Sequence, residues 1–273
     1  MDWDDYEEWG QKIAQWGASY HKSLRDLPVR SQVNPGDVSK CIPACAPEAG
    51  EDMAQIMADF DRFILPGMTH WQHPRFFAYF PSNAAPPSIL ADFLCATLSS
   101  QGILWQMSPA ATELETSMMG WLRDAVGLPS DFSGVIQDSA STATLAAVLT
   151  MRESVLQWKG NQEGLSGQKK LRIYVSGEAH SSVEKAVWIA GIGSENIVRL
   201  PVIGPMRGAD PEALKAAIEH DLEAGFTPAG VIGVIVGTGM GACDDLERLI
   251  GVAKDFDLYV HIDAAWAGSA MIC

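Results

Sequence analysis

The stretch Leu258-Tyr259-Val260-His261-Ile262-Asp263-Ala264-Ala265-Trp266-Ala267-Gly268 runs apolar, stops at an aspartate and continues in small residues. A short apolar run bounded in this way reads as a buried strand. It delivers one carboxylate to the C-terminal edge of a sheet, where open α/β sheets bind their ligands. A carboxylate buried there is costly without a partner. Asp263 is therefore either a solvated strand cap or an acid that holds something.

Working back from Asp263, short apolar runs alternate with helical patterns. Strands are expected near Gly134–Gln137, Leu171–Ser176, Ile197–Leu200, Val231–Val236 and Leu258–Ile262. Helices are expected near 141–158, 181–190, 211–223 and 245–255. That alternation predicts a mostly parallel sheet flanked by helices. Further upstream, Ser108-Pro109 marks a helix start, with Ser as N-cap and Pro at the first position. This helix should turn Leu114, Met118, Trp121, Leu122 and Val126 inward and stop at Gly127. Another helix spans about 87–100. Trp9, Ile13, Trp16 and Tyr20 form an aromatic stripe on a first helix, which packs in the core or lies across a partner subunit. Residues 26–48, with Pro28, Pro35, Pro43 and Pro47, read as an extended arm, and a second helix covers 50–64. The aromatics of Trp71–Phe80 follow neither period and suit a pocket-lining loop.

Composition narrows the function. The 273 residues are 47% hydrophobic and carry a net charge of −15, which argues against nucleic acid and against an anionic membrane surface. No apolar run reaches the roughly 18 residues of a membrane span. The acidic opening Met1-Asp2-Trp3-Asp4-Asp5 is unlike a signal peptide. The five cysteines are irregularly spaced, and the lone Cys41/Cys45 pair makes a metal site improbable. A reducing, cytoplasmic setting is the simplest account.

Three further turns carry candidate chemistry. Gln137-Asp138-Ser139-Ala140-Ser141-Thr142 passes from strand to helix through hydroxyl residues, as a plain Ser cap or as an anion site built on free backbone N–H groups. Glu178-Ala179-His180-Ser181-Ser182 places a histidine, structural or functional, just after another strand. Val236-Gly237-Thr238-Gly239-Met240-Gly241 has alternating glycines, but lacks the spacing and the position of a dinucleotide fingerprint. The Ser139 and His180 turns are expected on the same sheet edge as Asp263, and three polar turns meeting there are less likely by chance than any one of them.

Together these segments resemble the pyridoxal-phosphate-dependent group II amino acid decarboxylases, in their aromatic-L-amino-acid decarboxylase branch. The likeness runs through His73-Pro74-Arg75-Phe76-Phe77-Ala78-Tyr79-Phe80-Pro81, Leu90-Ala91-Asp92, Ser108-Pro109-Ala110-Ala111-Thr112-Glu113-Leu114-Glu115, Gly134–Gln137 with Ser139-Ala140-Ser141, Ala179–Glu184 and His261–Gly268. It implies the first part of a fold-type-I pyridoxal-phosphate transferase-like α/β large domain (86–273). A helical arm with a pocket loop (1–85), swapped across a homodimer, would precede it. The cofactor implied is pyridoxal 5'-phosphate. Ser139, Ala140 and Ser141 would hold its phosphate, His180 would stack on the ring, Thr238 would lie beside it, Asp263 would pair with the ring nitrogen and Ala265 would pack on the ring. His180 and Asp263 would carry the catalytic roles. Trp71, Phe80, Pro81, Ser82 and Ile103 would line the substrate side, and the reaction would be decarboxylation of an aromatic L-amino acid.

The chain departs from the pattern in three places. The family's Schiff-base lysine lies in a His-Lys pair beyond the aspartate strand, but here only ten residues follow Asp263, and His21-Lys22 belongs to the first helix. That lysine is expected from outside these residues, from the remainder of a longer protein or from a second chain. Asp138 stands where the family has a small residue, and Gly239-Met240 replaces a hydroxyl-rich stretch. Two alternatives stay open: an aldehyde synthase or a decarboxylase of another amino acid on the same fold, and a non-catalytic binding or dimerisation module.

Overall fold

In the computed structural model, which describes residues 2–80 and 84–273, the chain divides into one unit ending at Ser100 and another starting at Gln101. The first unit is helical. Helix α1 (Trp3–Ser23) begins at a reciprocal cap in which Asp2 accepts the N–H groups of Asp4 and Asp5, each at 3.0 Å, with the acidic first turn favouring the positive end of the helix dipole. The stripe expected on α1 packs in part on its own unit. Trp16 donates to the Asp61 carboxylate at 3.0 Å and meets the Phe60 ring edge-on. The Tyr20 hydroxyl bonds Nδ1 of buried His70 at 2.8 Å. Helix α2 (Met53–Asp59) loosens into a π-turn over Phe60–Ile64. Helix α3 (Pro86–Leu98) meets α1 through Tyr6, which stacks on Phe93 and bonds the Thr97 hydroxyl at 3.0 Å. Past a 3-10 turn at Leu24–Asp26, residues 27–48 run without helix or strand except for one 3-10 turn at Ser39–Cys41.

The second unit holds the sheet. Helix α4 (Pro109–Ala125) starts with Pro109 as expected, but Ser108 makes no side-chain cap bond. Its expected inward residues Leu114, Met118, Trp121 and Leu122 are exposed. Periodicity marks a face that wants cover, and within this chain the sheet's helical layers are made by other helices. The expected first strand also differs. Gly134–Gln137 pairs with no strand among the described residues. The Ile136 N–H donates instead to the Glu115 carboxylate of α4 at 2.7 Å, because an extended sequence becomes a strand only where a neighbour offers its ladder.

Then follow α5 (Ala140–Leu156), α6 (Lys159–Glu163), β1 (Leu171–Ser176), α7 (Ser182–Ile189), β2 (Ile197–Leu200), β3 (Val202–Ile203), β4 (Gly208–Ala209), α8 (Pro211–Glu223), β5 (Thr227–Val234), α9 (Leu246–Asp255) and β6 (Tyr259–Asp263). The sheet order is β2-β1-β5-β6 with every pair parallel. A register slip opposite Pro228 accommodates the residue that cannot donate to a ladder. Strand alternation splits the core in two. Ile173, Val175 and Ile232 face Val148 and Met151 of α5 and Val183 and Val187 of α7. Tyr174, Val231 and Leu200 face Leu214 and Ile218 of α8 and Leu249 and Ala253 of α9. On that second side the Tyr174 hydroxyl donates to Asp221 at 2.9 Å, and burial raises its pKa. No helix among the described residues is long and apolar enough to cross a membrane.

Candidate active site

Parallel strands end on one edge, so β1, β5 and β6 release the chain side by side. Asp263 closes β6 opposite Val234, and its carbonyl accepts the Ile235 N–H at 2.9 Å. The half-buried Asp263 side chain accepts the Ala265 N–H at 3.2 Å. None of the ion pairs among the described residues involves it. His261, two residues earlier on the same strand face, has its pKa lowered by burial, with the Asp263 charge opposing.

His180 sits in the turn after β1. Its Nδ1 accepts the Ser182 N–H at 3.2 Å and lies 2.9 Å from the Ser182 hydroxyl. In the neutral ring the proton therefore sits on Nε2. The ring is exposed. Thr238 lies in the turn after β5, also exposed, two residues beyond Val236, whose φ of 55° is left-handed and strained for a β-branched residue.

The Ser139 turn reaches the same edge by way of helix direction. Late in α5, Arg152 donates to the carbonyl of Ala190 just past α7, at 2.7 Å. The two helices pack along one another, so they run the same way and their N-termini point to the same end. The Ser139 side chain accepts the Thr142 N–H at 3.3 Å, and the Ala143 N–H goes to the Ser139 carbonyl. Ala140 and Ser141, at the first two helical positions, have no intrahelical acceptor. Asp138 takes the hydroxyl of Thr142, which ties its carboxylate to the side of the turn.

The model of the pyridoxal-dependent decarboxylase conserved domain matches residues 35–273. This chain belongs to the pyridoxal-dependent decarboxylases. It is 40% identical over 280 residues to a phenylacetaldehyde synthase of Arabidopsis thaliana, covering all of this chain and 56% of that protein. Tryptophan decarboxylase 2 of Oryza sativa subsp. japonica is 38% identical, again with 100% and 56% covered. The crystal structure of Oryza sativa TDC with PLP and tryptamine superposes with a TM-score of 0.93 at 32% identity, covering 100% of this chain and 60% of that one. The chain thus spans somewhat more than half the length of these relatives.

For a pyridoxal-dependent decarboxylase the donor set fits the coenzyme. Two open N–H groups at the head of a 17-residue helix suit a phosphate, an exposed imidazole suits an aromatic face, and a carboxylate with no ion pair among the described residues suits a protonated ring nitrogen. Asp138 is the one discordant charge. Ser139, Ala140, Ser141, His180, Thr238, Asp263 and Ala265 all fall in the second unit. Ile103, also there, is exposed. In the first unit the Trp71 ring packs against Phe76 and Tyr79, and Phe80 is partly exposed. Pro81 and Ser82 lie outside the described residues.

The sequence reading passes over two residues on the edge. Buried Asp244 accepts the Ala209 and Val234 N–H groups at 2.7 and 2.8 Å, and burial raises its pKa against those two bonds. Arg207, in the β3–β4 hairpin, pairs with Glu178 beside the His180 turn. Strands of two residues show no period, and neither partner is near in sequence, so no local signal marks them.

Proposed function

We propose that this chain carries the coenzyme-binding part of an enzyme that decarboxylates an aromatic L-amino acid to the amine and carbon dioxide. The observation that carries the reading is the convergence of four turns, ending in Ser139, His180, Thr238 and Asp263, on one sheet edge. Pyridoxal phosphate, when bound, supplies an electron sink for the pair left at the α-carbon as carbon dioxide departs. Asp263 would hold a proton at the ring nitrogen by charge pairing. His180 would cover one ring face, and its bonds to Ser182 fix the imidazole. Ala140 and Ser141 would donate backbone N–H bonds to the phosphate, Ser139 would cap their helix, and Thr238 and Ala265 would pack beside the ring. Trp71, Phe80, Pro81, Ser82 and Ile103 would line the substrate side, with the ring cluster around Trp71 favouring a flat substrate. The covalent lysine would come from polypeptide outside these residues, in the remainder of a longer protein or in a second chain, within a homodimer, and five unbonded cysteines suit a cytoplasmic setting.

Asp263→Ala in the coenzyme-loaded whole protein should lower kcat by roughly 100- to 1000-fold, the scale of removing one preorganised electrostatic partner. Unchanged turnover and unchanged coenzyme affinity would refute the reading. The 40% likeness to a phenylacetaldehyde synthase supports a second reading with the same site, aldehyde formation. Amine as product favours the first reading, and aldehyde with ammonia the second.

A further inference from the structure

We infer that Arg207 is a positioning residue of this site: its guanidinium grips Glu178 and so fixes the turn that presents His180. The inference rests on the coenzyme reading above and adds a residue that no motif marks.

Three observations support it. First, the β3–β4 hairpin follows the end of β2 and stands at the same sheet edge as the candidate site. Its base is tied to the sheet by hydrogen bonds. Asp244 ties Ala209 of the hairpin to Val234 of β5 through two backbone bonds, and the Cys243 N–H donates to the Met206 carbonyl at 2.9 Å. The backbones touch so closely that a Cβ on Gly208 would lie 2.7 Å from the Cys243 carbonyl oxygen.

Second, Arg207 itself adopts a φ of 50°. Glycine enters that left-handed region freely, whereas a long side chain does so at a cost. Strain of this kind persists where the surroundings over-determine it. Here the Arg207 N–H closes the turn on the Gly204 carbonyl at 3.2 Å, while the side chain pairs with Glu178, 29 residues away.

Third, Glu178 belongs to a turn held on every side. Its N–H donates to the Ser176 hydroxyl at 3.2 Å, and the Ala179 N–H donates to the Ser176 carbonyl at 3.1 Å. Its carbonyl oxygen lies 3.2 Å from where a Cβ on Gly237, the neighbour of Thr238, would stand. Arg207 is its only ion-pair partner among the described residues. His180 follows two residues later, so the hairpin, the β5 turn and the histidine turn form one brace.

The test uses the coenzyme-loaded whole protein. It reads the visible circular dichroism of the bound coenzyme, which reports how the ring is oriented, and the coenzyme dissociation constant, with thermal melting as the check on folding. Arg207→Ala and Arg207→Gly should each cut the visible ellipticity per bound coenzyme by at least half. They should also weaken binding roughly tenfold, the scale of removing an orienting partner, with melting little changed. The glycine variant separates side chain from backbone, since it adopts the same φ without strain. Arg207→Lys should restore most of the signal, and Glu178→Arg combined with Arg207→Glu should exceed either single change. Retained ellipticity and affinity in Arg207→Gly, or a reversed pair no better than its singles, would overturn the inference. If the wild type shows no coenzyme band, the coenzyme reading falls and this one with it. If His180→Ala loses ellipticity while Arg207→Ala keeps it, only this one falls.

Discussion

Gly230 of β5 stands where α5 crosses the sheet, and a Cβ there would lie 2.5 Å from Met151 Sδ and 2.7 Å from its Cγ. Met151 is fully buried, so its side chain can make room only by repacking against its neighbours. Gly230→Ala should therefore cost about 1–3 kcal/mol, the range for overpacking, measured by chemical denaturation. Combining it with Met151→Ala should give less than the sum of the two losses, because the neighbours share one space. Additive losses would show that the contact is not the cause. At this scale the sequence was most legible for Asp263 and His180. Asp263 ends a strand-like run and His180 sits in the turn just after another, and a polar residue at such a position is visible locally. Asp244 and Arg207 were not legible, because their meaning comes from backbone groups and a carboxylate brought near only by folding.

Helix α5 shows how one element serves both stability and binding. Ser139 and Thr142 cap each other reciprocally, so Ser139→Ala should destabilise the protein by about 1 kcal/mol. Aspartate also caps well, so Ser139→Asp should keep that stability while adding charge beside Asp138. Coenzyme affinity should then fall in Ser139→Asp without loss of melting temperature. Equal coenzyme affinity in both variants and wild type would place the phosphate elsewhere. The helices that flank the sheet, α5, α7, α8 and α9, were foreseen within a residue or two, since burial against the sheet enforces the periodicity from which they were read. The run 134–137 and the inner face of α4 were misjudged for one physical reason. Hydrophobic pattern records that a segment seeks a partner, and it does not say whether that partner lies in the same stretch of chain.

Across the molecule, acid should loosen the fold through two histidines, buried His70 and half-buried His261. Burial, with the charge of His73 second, lowers the pKa of His70, and burial lowers that of His261 against the pull of Asp263. Both therefore favour the neutral ring when folded, while the unfolded chain takes up protons near the ordinary value of about 6.5. Their contribution is complete above that value and is lost as pH falls through the lower folded values. The denaturation midpoint should drop between pH 7.5 and 5.5, and His70→Gln and His261→Gln should each flatten that slope; an unchanged slope in both variants would assign the effect to other groups. The open sheet has another consequence. Among the described residues no strand pairs with the outer flank of β6 or of β2, so in concentrated solution the β6 of one copy can lie against the β2 of the next. Each addition leaves a fresh flank exposed, and such head-to-tail growth produces filaments instead of closed pairs.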